Sequence, residues 1–294
     1  MKKFKFLIIC FFIIICFGGI LYLIILRLSN DRNIITIFSV QVNTERIEFV
    51  KNLDNEMDFV IRDGEINDYN HRLYNKFNGT FNIQTGSKII IERITSGPIK
   101  IQIENSKNEG CGQLFQVGKS DKQMPFSGNF IEIVMSDIQS HLVMGESYNF
   151  PIRGPVNLGR LNNSDIPGES TALLRDGTIT LLGIDTLLNY KFEAGERKLY
   201  LGDRFECNGN AFGFVNVNEK PGMQVAYRII AKEGHIFKPG IISDNNNYQI
   251  RASYFDEIKS IQGIPILALV VGVIGGLQLL LLFVFEFYNF CKEN

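Results

Sequence analysis

Three histidines, five cysteines and a scatter of serines and carboxylates are the residues in this chain equipped for chemistry. A zinc hydrolase needs two histidines one helical turn apart with a glutamate beside the first. His71, His141 and His235 are widely separated and lack that HExxH spacing. A serine nucleophile is presented on a tight turn of the GxSxG kind or beside a lysine in SxxK. Gly145-Glu146-Ser147 and Gly168-Glu169-Ser170 come nearest and lack the final glycine. No GxxxxGK[ST] phosphate loop, GxGxxG dinucleotide turn or CxxC pair occurs. Asp244-Asn245-Asn246-Asn247 offers oxygens to a hard cation, but without the spacing and terminal glutamate of an EF-hand it reads as a polar turn. The expectation is a chain with no catalytic residues, no metal and no cofactor.

The cysteines divide by position. Cys10, Cys16 and Cys291 lie in or beside long apolar stretches, leaving Cys111 and Cys207 in the polar middle. If that middle is exported, Cys111 and Cys207 can pair, and the loop closed would constrain the unfolded chain by roughly 4–5 kcal/mol. Two buried thiols are the other reading.

The elements that must position these residues begin with two apolar runs, Phe6 to Leu26 and Ile264 to Phe285. A helix rises about 1.5 Å per residue, so a hydrocarbon core of roughly 30 Å takes about 20 apolar residues. Each run meets that length. The first carries no charge and has no small-x-small cleavage site after it, which favours an anchor over a signal peptide. Lys2, Lys3 and Lys5 precede the first run, whereas only Lys292 follows the second. This bias puts both termini in the cytoplasm and the middle in periplasm or extracellular space.

Ala268, Gly272 and Gly276 recur every four residues and stack on one helical face, where small side chains let two helices approach closely. Gln278 is placed to hydrogen-bond across such a contact. The boundaries that follow are 1–26 for a short tail and first membrane helix, 27–263 for the central domain, 264–287 for the second helix and 288–294 for a tail.

The central region reads as β throughout. Ile99, Ile101 and Ile103 alternate with Lys100, Gln102 and Glu104, and Met223 to Ala231 and Ile131 to Met135 repeat the period of two. Asp63-Gly64, Asn78-Gly79, Asp176-Gly177 and Asn208-Gly209 punctuate the runs as turns, with Asp176-Gly177 the clearest tight hairpin. Phe255 to Gln262 predicts a short helix, and Asn43 to Asn55 a weaker one. Gly202-Asp203-Arg204 predicts a turn with a local ion pair. A cluster of Gly, Pro, Asn and Ser at 157–171 is a sub-boundary or, on balance, a long loop. The chain has 24 Phe and no Trp, and Phe212 and Phe214 on one strand face are expected in the core. The fold class is therefore mainly β: a large antiparallel β-sandwich or barrel-like domain flanked by one N-terminal and one C-terminal transmembrane α-helix.

Charge narrows the partners. The net charge is -1, and without the terminal lysines and glutamates the middle is slightly acidic, with no basic patch for nucleic acid. The partners expected are the lipid bilayer and either further copies of the chain or an envelope protein. Function then reads as a non-catalytic binding, sensing or scaffolding module held in the cell envelope. The alternatives are a membrane-active effector or channel subunit whose β domain controls helix assembly, and an enzyme whose site only the fold assembles.

Overall fold

The computed structural model describes residues 18, 19, 22, 34–52, 57–68, 72–106, 110–116, 123–126, 128–136, 147–159, 174–186, 189–238, 247–260 and 266–292. The first part of the chain forms β1 (Ile34–Thr44), β2 (Arg46–Val50), β3 (Asp58–Asn67), β4 (Arg72–Ile83), β5 (Lys88–Glu92) and β6 (Ile99–Glu104). Next come β7 (Gly112–Gln116), β8 (Gln123–Phe126), β9 (Phe130–Met135), β10 (Tyr148–Gly154), β11 (Val156–Leu158) and β12 (Leu174–Asp185). The last are β13 (Tyr190–Leu199), β14 (Arg204–Cys207), β15 (Ala211–Val217), β16 (Met223–Ala231), β17 (Gly234–Phe237) and β18 (Asn247–Ile250).

These strands make two antiparallel sheets. The smaller has the order β10-β15-β16-β1-β12-β13, and the larger β18-β17-β14-β11-β2-β5-β6-β9-β3-β4-β7-β8. Among the described residues, five stretches of chain pass from one sheet into the other at a bend or turn: β1 to β2 at Glu45, β10 to β11 at Pro155, β13 to β14 at residues 200–203, β14 to β15 at Asn208-Gly209, and β16 to β17 at Lys232-Glu233. Strands that change sheet at a bend make the corners of a sandwich. The two inner faces share one core, because the alternation seen in the sequence sets every second side chain inward. Ile34, Thr36, Phe38, Val40 and Val42 of β1 are buried, as are Ile99, Ile101 and Ile103 of β6. Rings meet across the layers, Phe38 against Phe205 at 5.7 Å and Phe59 against Phe150 at 5.1 Å. Each buried phenylalanine contributes about 1.5–3 kcal/mol by leaving water.

A buried guanidinium ties the sheets at their far end. Arg93 is 0% exposed, and its Nη1 donates to the carbonyls of Asn218 (2.7 Å), Lys220 (3.0 Å) and Gly222 (3.0 Å). It thereby holds the β15–β16 turn against the loop after β5. Burial lowers its pKa, and no carboxylate is recorded among its partners in the described residues. Beside it, Glu45 accepts from the amide of Thr95 at 3.2 Å and pairs with Arg175.

Several local expectations change in the tertiary setting. Asp176-Gly177 is not a hairpin turn but lies inside the continuous strand β12, opposite Asn43 and Val42 of β1. A Cβ on Gly177 would sit 2.3 Å from Val42 Cγ1 and 2.8 Å from the Gln41 carbonyl, so the glycine allows close strand approach. Asp63-Gly64 and Asn78-Gly79 likewise fall within β3 and β4, at an irregular register where Asp63 takes φ 47°. There the Asn78 side chain accepts from the Asp63 amide at 2.8 Å and donates back to its carboxylate at 2.9 Å. Asn208-Gly209 does turn, at a sheet corner. Residues 43–44 and 46–50 are strand on either side of the Glu45 bend, not helix, because Ile47 and Phe49 of β2 alternate into the core. Asn157 belongs to β11, and most of the 157–171 cluster lies outside the described residues.

The short helix near the C-terminal end forms at Tyr254–Ser260. Ser253 caps it: its hydroxyl donates to Asp256 Oδ2 at 2.7 Å, and the Asp256 amide points back to the hydroxyl at 3.4 Å. It packs on β13, and Ile34, Phe192 and Ala252 form a small second core beneath it. A longer helix follows at Ile266–Lys292. Among the described residues no helical stretch is long and apolar enough to cross a membrane, so the two flanking membrane helices are not supported by the structure. Most of Phe6 to Leu26 lies outside the described residues; Gly18, Gly19 and Tyr22 are helical.

Candidate interaction surface

Among the described residues, those singled out for chemistry do not converge. His71, His141 and both Gly-Glu pairs before Ser147 and Ser170 lie outside the described residues, and Ser147 accepts from Asn149 Nδ2 at 3.3 Å. His235 sits on β17 with its ring 3.7 Å from Glu233. Among the described residues no group of three or more His, Cys, Asp or Glu is arranged to hold a metal. Cys111 and Cys207 do not pair; both are free and buried. Each thiol donates to a different carbonyl, Ile103 for Cys111 and Glu233 for Cys207, both at 3.3 Å. Burial pushes them up to about 11 and about 12, so they stay protonated and unreactive at neutral pH. Ala268, Gly272, Gly276 and Gln278 all fall on the helix Ile266–Lys292, and among the described residues no atom apart from the adjoining helix backbone stands within 4 Å of where a Cβ on Gly272 would be.

The turn at Gly202-Asp203-Arg204 forms, but its ion pair is not local. The Asp203 carboxylate is buried and meets Lys238 Nζ at 2.6 Å from beyond β17, while Arg204 pairs with Glu206 at 3.0 Å. The Lys238 ammonium also stands 5.0 Å from the Tyr200 ring and 5.9 Å from that of Tyr248. This cluster closes the end of the larger sheet.

The two outer sheet faces differ in kind. On the larger sheet, opposite charges face each other across neighbouring strands. Arg46 meets Glu92 at 2.5 Å, Lys88 meets Glu48 at 2.9 Å and Lys100 meets Glu132 at 2.9 Å. Burial works to raise the Glu132 carboxyl, but Lys100 and Gln102 outweigh it and hold it below the usual carboxylate range. A face whose charges are mutually paired offers little to a partner.

The smaller sheet presents something else. Phe212 and Phe214, expected in the core, are 46% and 56% exposed, because Ala211, Val215 and Val217 take the inward positions of β15. Ile230 on β16 is 60% exposed, and Ile35 is also exposed. The strand register makes these one surface. Ile230 lies opposite Ile37, which lies opposite Leu182; one row nearer the start of β1, Ile35 lies opposite Ile184. Arg153, Phe212, Arg228, Ser39, Thr180 and Glu196 form the next row across all six strands. A contiguous apolar patch on a sheet face marks an interaction surface more often than chance exposure does. The sequence carried a signal for it: consecutive apolar residues in Ile34-Ile35 and Ile229-Ile230 break the alternation of a strand with one wet face.

The sheet edges are defended by contrast. β10 carries Pro151 and β8 carries Pro125, neither of which has an N–H to offer. β18 has four residues, and β13 is lined with exposed Lys191, Glu193, Glu196, Arg197 and Lys198. Contact through the smaller sheet's face is therefore favoured over addition of a strand. Comparison with protein families, curated proteins and solved structures finds no match to this chain.

Proposed function

We propose that this chain is a two-span membrane protein that holds a non-catalytic β body at the cell envelope as a binding or scaffolding module. Both termini lie in the cytoplasm in this reading, and the body outside. The observation that carries it is the meeting of the body's two ends. The Ala252 amide donates to Thr36 Oγ1 at 3.0 Å, and Ile34 packs with Ala252 in the second core. The first described strand and the stretch just before the short helix thus lie side by side, as two anchors in one bilayer require. Among the described residues, the burial of both thiols and the pairing of His235 with Glu233 support a binding role over a catalytic one.

Topology tests this directly. An exposed cysteine at Glu219→Cys, on the turn far from the anchors, should react with a membrane-impermeant maleimide in intact cells, since Cys111 and Cys207 are buried. Labelling only after lysis would overturn the orientation. Release of the full chain from membranes by alkaline carbonate would overturn the anchoring. A second reading, a membrane-active effector, is favoured only by the small-residue stripe at Ala268, Gly272 and Gly276. Ion flux from liposomes containing the full chain would support it, and tight liposomes would remove it.

A further inference from the structure

We propose that the outer face of the smaller sheet is a homodimer interface, closed by a twofold axis running parallel to β1. The inference rests on the bilayer anchoring proposed above for its choice of symmetry. β1 starts beside Ala252, at the end of the body from which that reading takes both anchors to leave, and it runs away from that end. The sheet's face therefore looks sideways, along the membrane plane, where the neighbour is another anchored protein and not lipid. Two copies anchored in one bilayer must keep their strands pointing the same way. Only a twofold axis along the strands brings the same face of each together under that constraint.

The charge pattern fits this axis. Placed between β16 and β1, it sets β10 of one copy against β13 of the other, β15 against β12, and β16 against β1. In the row through Ser39, Arg153 at one end then faces Glu196 of the second copy, and the reverse contact repeats by symmetry. Within a single copy, Arg228 and Glu196 make no ion pair among the described residues, and Arg153 stands over the Phe212 ring at 5.9 Å. Two like charges thus flank an exposed phenylalanine, with the opposite charge at the far end of the same row. One row nearer the membrane, Ile230 faces Ile37 of the second copy twice over, giving the contact an apolar centre. Apart from Arg228, which meets Ser39 of the second copy beside the axis, this is the apolar centre with charged ends usual for an interface.

The test uses the full chain in its membrane. With sheets about 10 Å apart and strands about 4.8 Å apart, the two Ser39 positions are separated by roughly 11 Å. Ser39→Cys should then give dimers with a short bismaleimide, whereas Gln102→Cys on the other sheet's outer face should not. Arg153→Glu or Glu196→Arg alone should lower the dimer yield about tenfold, since two pairs become two repulsions, and the double exchange should restore it. Continued burial of Cys111 and Cys207 to maleimide reports that each variant is folded. Absence of Ser39→Cys crosslinking in carbonate-resistant membranes overturns the dimer and leaves the anchoring intact. Crosslinks indifferent to the charge exchange also overturn it, because the copies would then meet in an arrangement that does not set Arg153 against Glu196. Crosslinks in a chain that carbonate releases would sustain the contact and remove the anchoring.

Discussion

The backbone amide of Ala252 donates to the Thr36 hydroxyl at 3.0 Å, joining positions 216 residues apart. Thr36 is fully buried on the inner face of β1, so this bond fixes where the last segment of the body returns to the first strand. Thr36→Val keeps the volume and removes the acceptor, leaving a buried N–H unsatisfied at a cost of about 1–3 kcal/mol. Hydrogen exchange should accelerate in residues 252–260 well before it does in β1. Unchanged protection there would mean the join is held elsewhere.

Arg93 holds three carbonyls of the β15–β16 turn. Arg93→Met leaves those acceptors without their donor and should lower stability by about 2–4 kcal/mol in a urea titration. Arg93→Lys should recover only part of this, because an ammonium lacks the planar fork that spans several acceptors. Full recovery by lysine would show that charge, not geometry, matters at this position.

Gly177 separates two readings of Asp176-Gly177. In a tight type I′ turn, asparagine tolerates the positive φ; in a continuous strand any side chain meets β1. Gly177→Asn and Gly177→Ala should therefore both destabilise, by about 1–3 kcal/mol of overpacking. Tolerance of asparagine alone in thermal unfolding would return this site to a turn.

The buried thiols make stability fall on the alkaline side. Their folded pKa values are raised to about 11 for Cys111 and about 12 for Cys207 from a usual value of 9.0, and burial also raises Tyr227. The unfolded chain releases these protons first, so their contribution is complete below about pH 9 and is lost as pH climbs toward the folded values. Denaturation midpoints should drop between pH 8.5 and about 10.5. Replacing both cysteines with alanine should flatten part of that drop. Reducing and non-reducing gels should also coincide, since neither thiol is paired.

Much of the β architecture is legible because strand alternation is a local property. Ile99, Ile101 and Ile103 must share a face whatever lies opposite, and the same holds for Met223 to Ala231. The four Asp-Gly and Asn-Gly pairs are less informative in kind: such a pair supplies freedom of φ or freedom from a side chain, and sequence does not say which is used. At Asp176-Gly177 it is the second, because β1 crosses too close for a Cβ.

What the sequence by itself determined is the mainly β class, the period-two strands, the short helix after Ala252 and the lack of any spaced catalytic motif. These depend on neighbours in the chain. The tertiary structure alone decided which face of each strand is wet, that five described stretches cross between sheets, that Asp203 pairs with Lys238 and that Phe212 and Phe214 look outward. Inward and outward are defined only once a second sheet arrives to cover one side. A period of two makes the faces distinct without saying which of them meets the partner layer.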